Sequence, residues 1–130
     1  MGTTTNAILW FGHCLPEGTE EDGFPENVIE HVKKNYPNLE LDEEDPEYTI
    51  EESILKEFGV EIVCHCSFDY PMYGLAVSES IATARRGYPQ QVETKESPER
   101  WDVALQRAVK AVGWPTDNKK PSWWMASLWG

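Results

Sequence analysis

Hydrophobic periodicity predicts that residues 60–67 form a strand with one buried face. Successive side chains of an extended chain point to opposite faces. One face of this stretch is wholly apolar when cysteine is counted as a small hydrophobe. That face carries Val60, Ile62, Cys64 and Cys66.

The sequence Asp69-Tyr70-Pro71 then favours a turn, because proline restricts its own backbone and that of the preceding residue. Strand patterning resumes over residues 72–77, so an antiparallel hairpin is predicted.

Three further segments are predicted to be strands or to contain one. Residues 6–14 are apolar on both faces, which is typical of a strand in the interior of a sheet. Residues 122–129 are also apolar on both faces, as in a buried strand or an interface strand. The segment 80–92 fits either a strand or a short helical turn, and its β-branched Ile81 and Thr83 favour the strand.

The first two helices are predicted from apolar residues spaced three or four apart. The first covers residues 25–36, since proline is favoured in a first helical turn and Pro37 stops the helix. The second is expected to begin at Thr49, where Glu52 three residues later completes a capping box. Gly59 is its expected C-terminal cap.

The third helix has the clearest start signal in the chain. Ser97 is the expected N-cap, Pro98 occupies the first turn, and Gly113 ends the helix. The element order is therefore β-α-α-β-β-(β)-α-β. Because strands and helices do not alternate regularly, this order predicts an α+β fold with a mainly antiparallel sheet of four to five strands and three helices.

The length and composition fit one domain over residues 1–130. A chain of this length buries a sizeable core, and six tryptophans and five tyrosines supply large apolar areas for it. The chain has no apolar run long enough to cross a membrane and no signal-peptide pattern at its start. Three cysteines, two of them separated by a single residue, do not indicate a disulfide framework, so a reducing cytoplasm is expected.

Negative charge is concentrated in one part of the chain. Residues 17–57 hold 15 of the 23 acids and 3 of the 11 bases, a balance of −12 that equals the net charge of the whole chain. A one-sided acidic surface repels nucleic-acid backbones and suits a basic protein partner. The acids expected to meet that partner are Glu40, Asp42, Glu43, Glu44, Asp45, Glu47, Glu51 and Glu52.

Two other kinds of site are alternatives. A small enzyme or ligand-binding domain would use a pocket around His65, Asp69, Tyr73 and Arg86, although a turn in which Asp69 bonds the local backbone is the favoured interpretation of the hairpin residues. A zinc-stabilised module would use Cys14, Cys64, Cys66 and His13. Buried cysteines that fill a sheet face are the favoured interpretation of that second set, so no metal and no cofactor is expected.

The chain also resembles small uncharacterised proteins of tailed bacteriophages. The segments that carry the resemblance are ILWFGHCLPEG, CHCSFDYPMYGLAV, ARRGYP and WWMASLWG. The resemblance as a whole covers about half of the chain. The resemblance implies expression in the cytoplasm of a bacterial host during infection, and it brings no activity with it. By analogy, small acidic phage proteins bind and inhibit host or defence enzymes. A non-enzymatic protein that binds such a partner is therefore the first hypothesis.

Overall fold

The predicted α+β fold is confirmed by the computed structural model, which describes residues 5–15, 24–42, 44–67, 71–94 and 96–129. The strands are β1 (Thr5–Cys14), β2 (Val60–Ser67), β3 (Pro71–Val77), β4 (Ala82–Arg85) and β5 (Ser122–Trp129). The helices are α1 (Glu26–Asn35), α2 (Pro46–Ile50) and α3 (Glu99–Val112). Helix α2 continues as a π-helical turn, Glu51–Leu55, and a 3-10 turn, Lys56–Phe58; a second 3-10 turn, Ser78–Ser80, leads to β4.

Strand β1 lies in the interior of the sheet, as its two apolar faces predict. It pairs with β5 along one edge, from Thr5 opposite Trp129 to Gly12 opposite Ser122. Along its other edge it pairs first with β4 and then with β3. These pairings are antiparallel, and so is the predicted hairpin of β2 and β3. The short β4 confirms that a strand lies within residues 80–92.

Four of the strands close into a ring. Strand β1 pairs with β3, β3 with β2, β2 with the end of β5, and β5 with β1. The β2–β5 contact is parallel and short, joining Cys66 to Leu128 and Ser67 to Trp129. The ring gives the sheet an inner face, directed into the ring, and an outer face that the helices cover.

The outer face of the sheet and all three helices share the main hydrophobic core. Leu75 and Val60 contribute the strand side, while α1, α2 with its continuation, and α3 contribute the helix side. The fully buried helix residues in this core include Val28, Val32, Ile50, Leu55, Ala108 and Val112. Burying one such aliphatic side chain stabilises the fold by about 1.5–3 kcal/mol, so the core holds the helices on this face.

The inner face is filled by a second, smaller cluster around Trp10. Val63 and Ala76 are buried with it, and Cys14 and Trp124 pack against them. The indole Nε1 of Trp124 donates a hydrogen bond to the Gly12 carbonyl oxygen at 3.0 Å. The ring interior is thus a packed core rather than a channel.

Two glycines allow β1 and β3 to approach each other closely. A Cβ atom at Gly12 would lie 1.9 Å from the backbone oxygen of Leu75. A Cβ atom at Gly74 would lie 2.9 Å from the Trp10 ring. Both positions therefore need a residue without a side chain for the ring to close.

The predicted helix starts need correction. Helix α1 begins at Glu26, one residue after the predicted start, and Pro25 is its N-cap. Helix α2 begins at Pro46 rather than Thr49, because Asp45 is its N-cap and accepts a hydrogen bond from the Tyr48 backbone N–H at 3.3 Å. The predicted capping box is therefore not used. The N-cap of α3 is Pro98, one residue after the predicted Ser97. The C-terminal caps at Gly59 and Gly113 are confirmed, and both glycines adopt left-handed backbone angles.

The burial of β2 also differs from the prediction of one buried face. Val63, on the predicted outward face, is as inaccessible as Val60, with exposures of 3% and 1%. Cys66, on the predicted buried face, is exposed. Ring closure explains the burial of Val63, because it covers the inner face over the middle of the strand. Cys66 lies on the opposite face, near the end of the strand. The Asp69-Tyr70 turn lies outside the described residues.

Candidate functional site

The connection between α1 and α2 presents acids to solvent while its leucines hold it to the core. Leu39 and Leu41 pack against the main core, and Glu40 and Asp42, which alternate with them, are exposed. The Leu39 N–H also donates to the Tyr36 carbonyl oxygen at 3.0 Å. Anchored leucines thus fix the outward direction of the neighbouring carboxylates.

The next residues are held by hydrogen bonds from acid side chains to the backbone. The Glu44 N–H donates to Asp42 Oδ1 at 3.0 Å, as in an Asx turn, and Asp45 caps α2. Asp45 and Glu44 remain exposed. One continuous stretch of chain therefore carries a set of outward acids, which we call the acidic surface: Glu40, Asp42, Glu44, Asp45 and Glu52.

Tyr48 is a residue of this surface that the sequence analysis did not identify. It is 61% exposed and lies in α2 between Asp45 and Glu52. Residues four apart on a helix are neighbours, so Tyr48 is adjacent to Glu52. The sequence does contain a signal for it. Asp45-Pro46-Glu47 repeats the cap, proline and acid order of Ser97-Pro98-Glu99, and that order starts the helix early enough to include Tyr48.

Two of the predicted partner-binding acids turn inward instead. Glu47 accepts a hydrogen bond from the Tyr73 hydroxyl at 3.5 Å, and Glu51 accepts one from the Ile62 N–H at 3.3 Å. Burial, the largest cause, raises the pKa of both carboxyls. The phenol of Tyr73 is affected in the same way, since burial and then the Glu47 charge raise its pKa to about 12. Glu43 lies outside the described residues.

Among the residues that the structure describes, the cations in the later part of the chain form no ion pair with the acidic surface. Between described residues, its one ion pair joins Glu52 to Lys56, four residues away, at 3.4 Å. Arg100 pairs with Glu79 at 2.9 Å, far along the chain from this segment. The exposed acids of residues 40–45 therefore keep their charge available to a partner.

The residues of the predicted pocket do not converge. His65 lies on the inner face, with its ring centroid 5.6 Å from that of Trp10. Tyr73 lies on the outer face, in the main core. Arg86 is exposed in the turn after β4. Asp69 is outside the described residues, so the three others, which point in different directions, provide no shared cleft.

The residues of the zinc alternative are also divided between faces. Cys14 packs in the inner cluster, Cys64 packs against the main core, and Cys66 is exposed. Burial raises the pKa of the Cys14 thiol to about 11, which disfavours the thiolate form that binds a metal. Across the ranges that the structure covers, no three His, Cys, Asp or Glu side chains are grouped as metal ligands would be.

The described part of the chain thus offers one concentrated charged surface and no assembled catalytic group among the predicted residues. None of its helices has the length and apolar character required to span a bilayer. Comparisons with models of protein families, with curated proteins and with solved structures found no match for this chain.

Proposed function

We propose that this protein is a binding protein whose acidic surface docks on a basic surface of another protein. The observation that supports this best is the combination of outward, largely unpaired acids with an exposed tyrosine on one anchored stretch of chain. The resemblance to phage proteins makes a host or defence protein the expected partner. Nucleic acid is not part of the proposal, since its phosphates would be repelled.

The anchoring of this stretch supports a binding role. Leu39 and Leu41 pack on the core, and Asp42 and Asp45 bond the backbone, so little conformational freedom remains to be lost on association. Tyrosine is enriched among the residues that dominate interface energetics. Tyr48 would supply contact area, and the surrounding carboxylates would supply orientation and a fast encounter with a basic partner.

Charge reversal tests the proposal without disturbing the caps. In Glu40→Lys/Glu44→Lys both side chains are exposed and neither accepts a described hydrogen bond. The matched control is Glu30→Lys/Glu96→Lys, which makes the same change in net charge at exposed positions outside the acidic surface. Affinity capture from a bacterial lysate, read by mass spectrometry, should recover a partner with the wild type and the control but not with the first variant.

Two further results are expected from the same capture experiment. Tyr48→Ala should weaken binding of the partner by about tenfold or more, as for an interface hot spot, and leave the unfolding midpoint unchanged because the side chain is exposed. Binding should weaken steeply between about 50 and 300 mM salt, as charge screening requires. A partner that is retained equally by all variants and at both salt concentrations would contradict the proposal.

A further inference from the structure

A groove of about 590 Å³ lies between α3 and the loop of residues 116–121, with β1 at its base. Its size is within the range of small-molecule sites, roughly 300–1,000 Å³. Phe11, Leu105 and Val109 supply apolar walls. His13, Lys119 and Lys120 supply polar and cationic groups. None of these residues belongs to the acidic surface.

His13 is the buried polar group of this groove. It is 6% exposed, and its side chain forms part of the groove lining. Burial lowers the pKa of the imidazole, so at neutral pH the ring is uncharged and has one N–H donor and one acceptor nitrogen. An imidazole in this state can donate to or accept from a polar atom of a ligand in the groove.

Two lysines stand at the rim of the groove. A tight turn places them there: the Lys119 N–H donates to the Thr116 carbonyl oxygen at 3.0 Å, and the intervening Asp117 and Asn118 have φ of 54° and 59°. Lys119 and Lys120 are exposed and form no ion pair with a described acid. The one carboxylate that lines the groove, Asp102, accepts a hydrogen bond from the Ser97 hydroxyl at 3.5 Å. The residues that line the groove thus carry two cations and one anion, in a protein whose net charge is −12.

We propose that the groove binds a small organic anion with an apolar body. The apolar body would lie against Phe11, Leu105 and Val109, with the His13 ring bonded to a polar atom of the ligand. The anionic end would face Lys119 and Lys120, which are point charges suited to a carboxylate, sulfonate or phosphate. This site shares no residue with the acidic surface, so a result that contradicts one proposal leaves the other unaffected.

Fluorescence titration with 8-anilino-1-naphthalenesulfonate tests the charge requirement. N-phenyl-1-naphthylamine, which has the same rings without the sulfonate, is the neutral probe. Lys119→Gln/Lys120→Gln should weaken binding of the sulfonate by about tenfold and leave the neutral probe unaffected. The matched control, Lys33→Gln/Lys34→Gln, removes an equally exposed lysine pair from α1 and should bind both probes like the wild type. Equal affinities of the two double variants for the sulfonate would overturn the proposal.

Chemical-shift mapping by NMR locates the bound probe. Saturating sulfonate should shift the His13 ring protons and the amides of residues 116–120. Shifts centred instead on the exposed apolar Met125, on the outer side of β5, would also overturn the proposal, because the probe would then be bound at a hydrophobic surface patch. Since the lysine variants change only exposed side chains, both measurements can be made on folded protein.

Discussion

Two glutamates in the acidic segment have a different role from their neighbours. Glu47 and Glu51 are half-buried, and each accepts a hydrogen bond from a strand of the sheet. The ionised form of each is disfavoured, mainly because burial removes water from the carboxyl. Their pKa values in the folded protein therefore lie above the ordinary value of 4.5. A single charge count for the segment hides this difference.

Glu51→Gln is expected to stabilise the protein at neutral pH. A raised folded-state pKa contributes stability that is complete below the unfolded-state pKa and is lost as pH rises through the folded-state pKa. Glutamine keeps an acceptor for the Ile62 N–H and cannot ionise. The free energy of unfolding of the variant should therefore be higher than that of the wild type near pH 7 and equal to it below about pH 4.5. Urea unfolding at several pH values measures the difference in the free energy of unfolding.

The control for this experiment is Glu57→Gln, an exposed position in the same segment. It removes the same charge without a buried carboxyl, so it reports the general relief of negative repulsion. A gain in stability for Glu51→Gln no larger than that for Glu57→Gln at neutral pH would show that burial of Glu51 has no effect.

Gly12→Ala tests the close approach of β1 and β3. The added Cβ would meet the Leu75 backbone oxygen, which cannot move without shifting β3, so a loss of at least about 2 kcal/mol in the free energy of unfolding is expected. Gly87→Ala is the comparison: it has φ of +83° but open space around it, and should cost about 1 kcal/mol from backbone strain alone. Urea unfolding measures both losses. A smaller loss in the free energy of unfolding for Gly12→Ala than for Gly87→Ala would contradict the close approach of β1 and β3.

At the scale of elements, the start of α2 decides which residues face solvent. A start at Thr49 leaves Glu47 and Tyr48 in a loop, whereas the observed start at Pro46 gives both of them helical positions. Glu47 then turns toward β3 and Tyr48 turns outward. A difference of three residues in a helix boundary therefore changes the composition of the proposed binding surface.

Alanine substitutions at the two possible caps distinguish these starts. Asp45→Ala removes the observed cap and should lower the free energy of unfolding by about 1 kcal/mol. Thr49→Ala should be neutral or slightly stabilising, because alanine has the higher helix propensity within a helix. Chemical denaturation followed by circular dichroism measures both. A larger loss for Thr49→Ala would restore the boundary predicted from the capping box.

For the whole molecule, local patterns predicted the elements but not their closure. The spacing of apolar residues was sufficient to predict the apolar stripe of α3 and the position of β1 between other strands, since both depend on residues close in sequence. The β1–β3 contact joins Gly12 to Ala76, and no local pattern specifies that pairing. The second buried face of β2 could not be predicted for the same reason.

In the proposed sites, too, only features that depend on residues close in sequence could be predicted. The outward acids of residues 40–45 could be predicted from their charge and from the proline that follows them. The inward direction of Glu51 could not, because its partner Ile62 belongs to another element. The groove brings together His13, Leu105 and Lys119, which are distant in the sequence and gave no joint signal.

The position of β5 has a consequence for biosynthesis. This strand joins β1 to β2, yet it is the last of the described elements to be synthesised. Until residues 122–129 have left the ribosome, one edge of β1 and the end of β2 lack the strand that they pair with in the folded protein, and unpaired edges pair readily with other chains. Stalling of translation just before Ser122 should therefore produce a chaperone-dependent, aggregation-prone intermediate, and release of the final strand should make it protease-resistant.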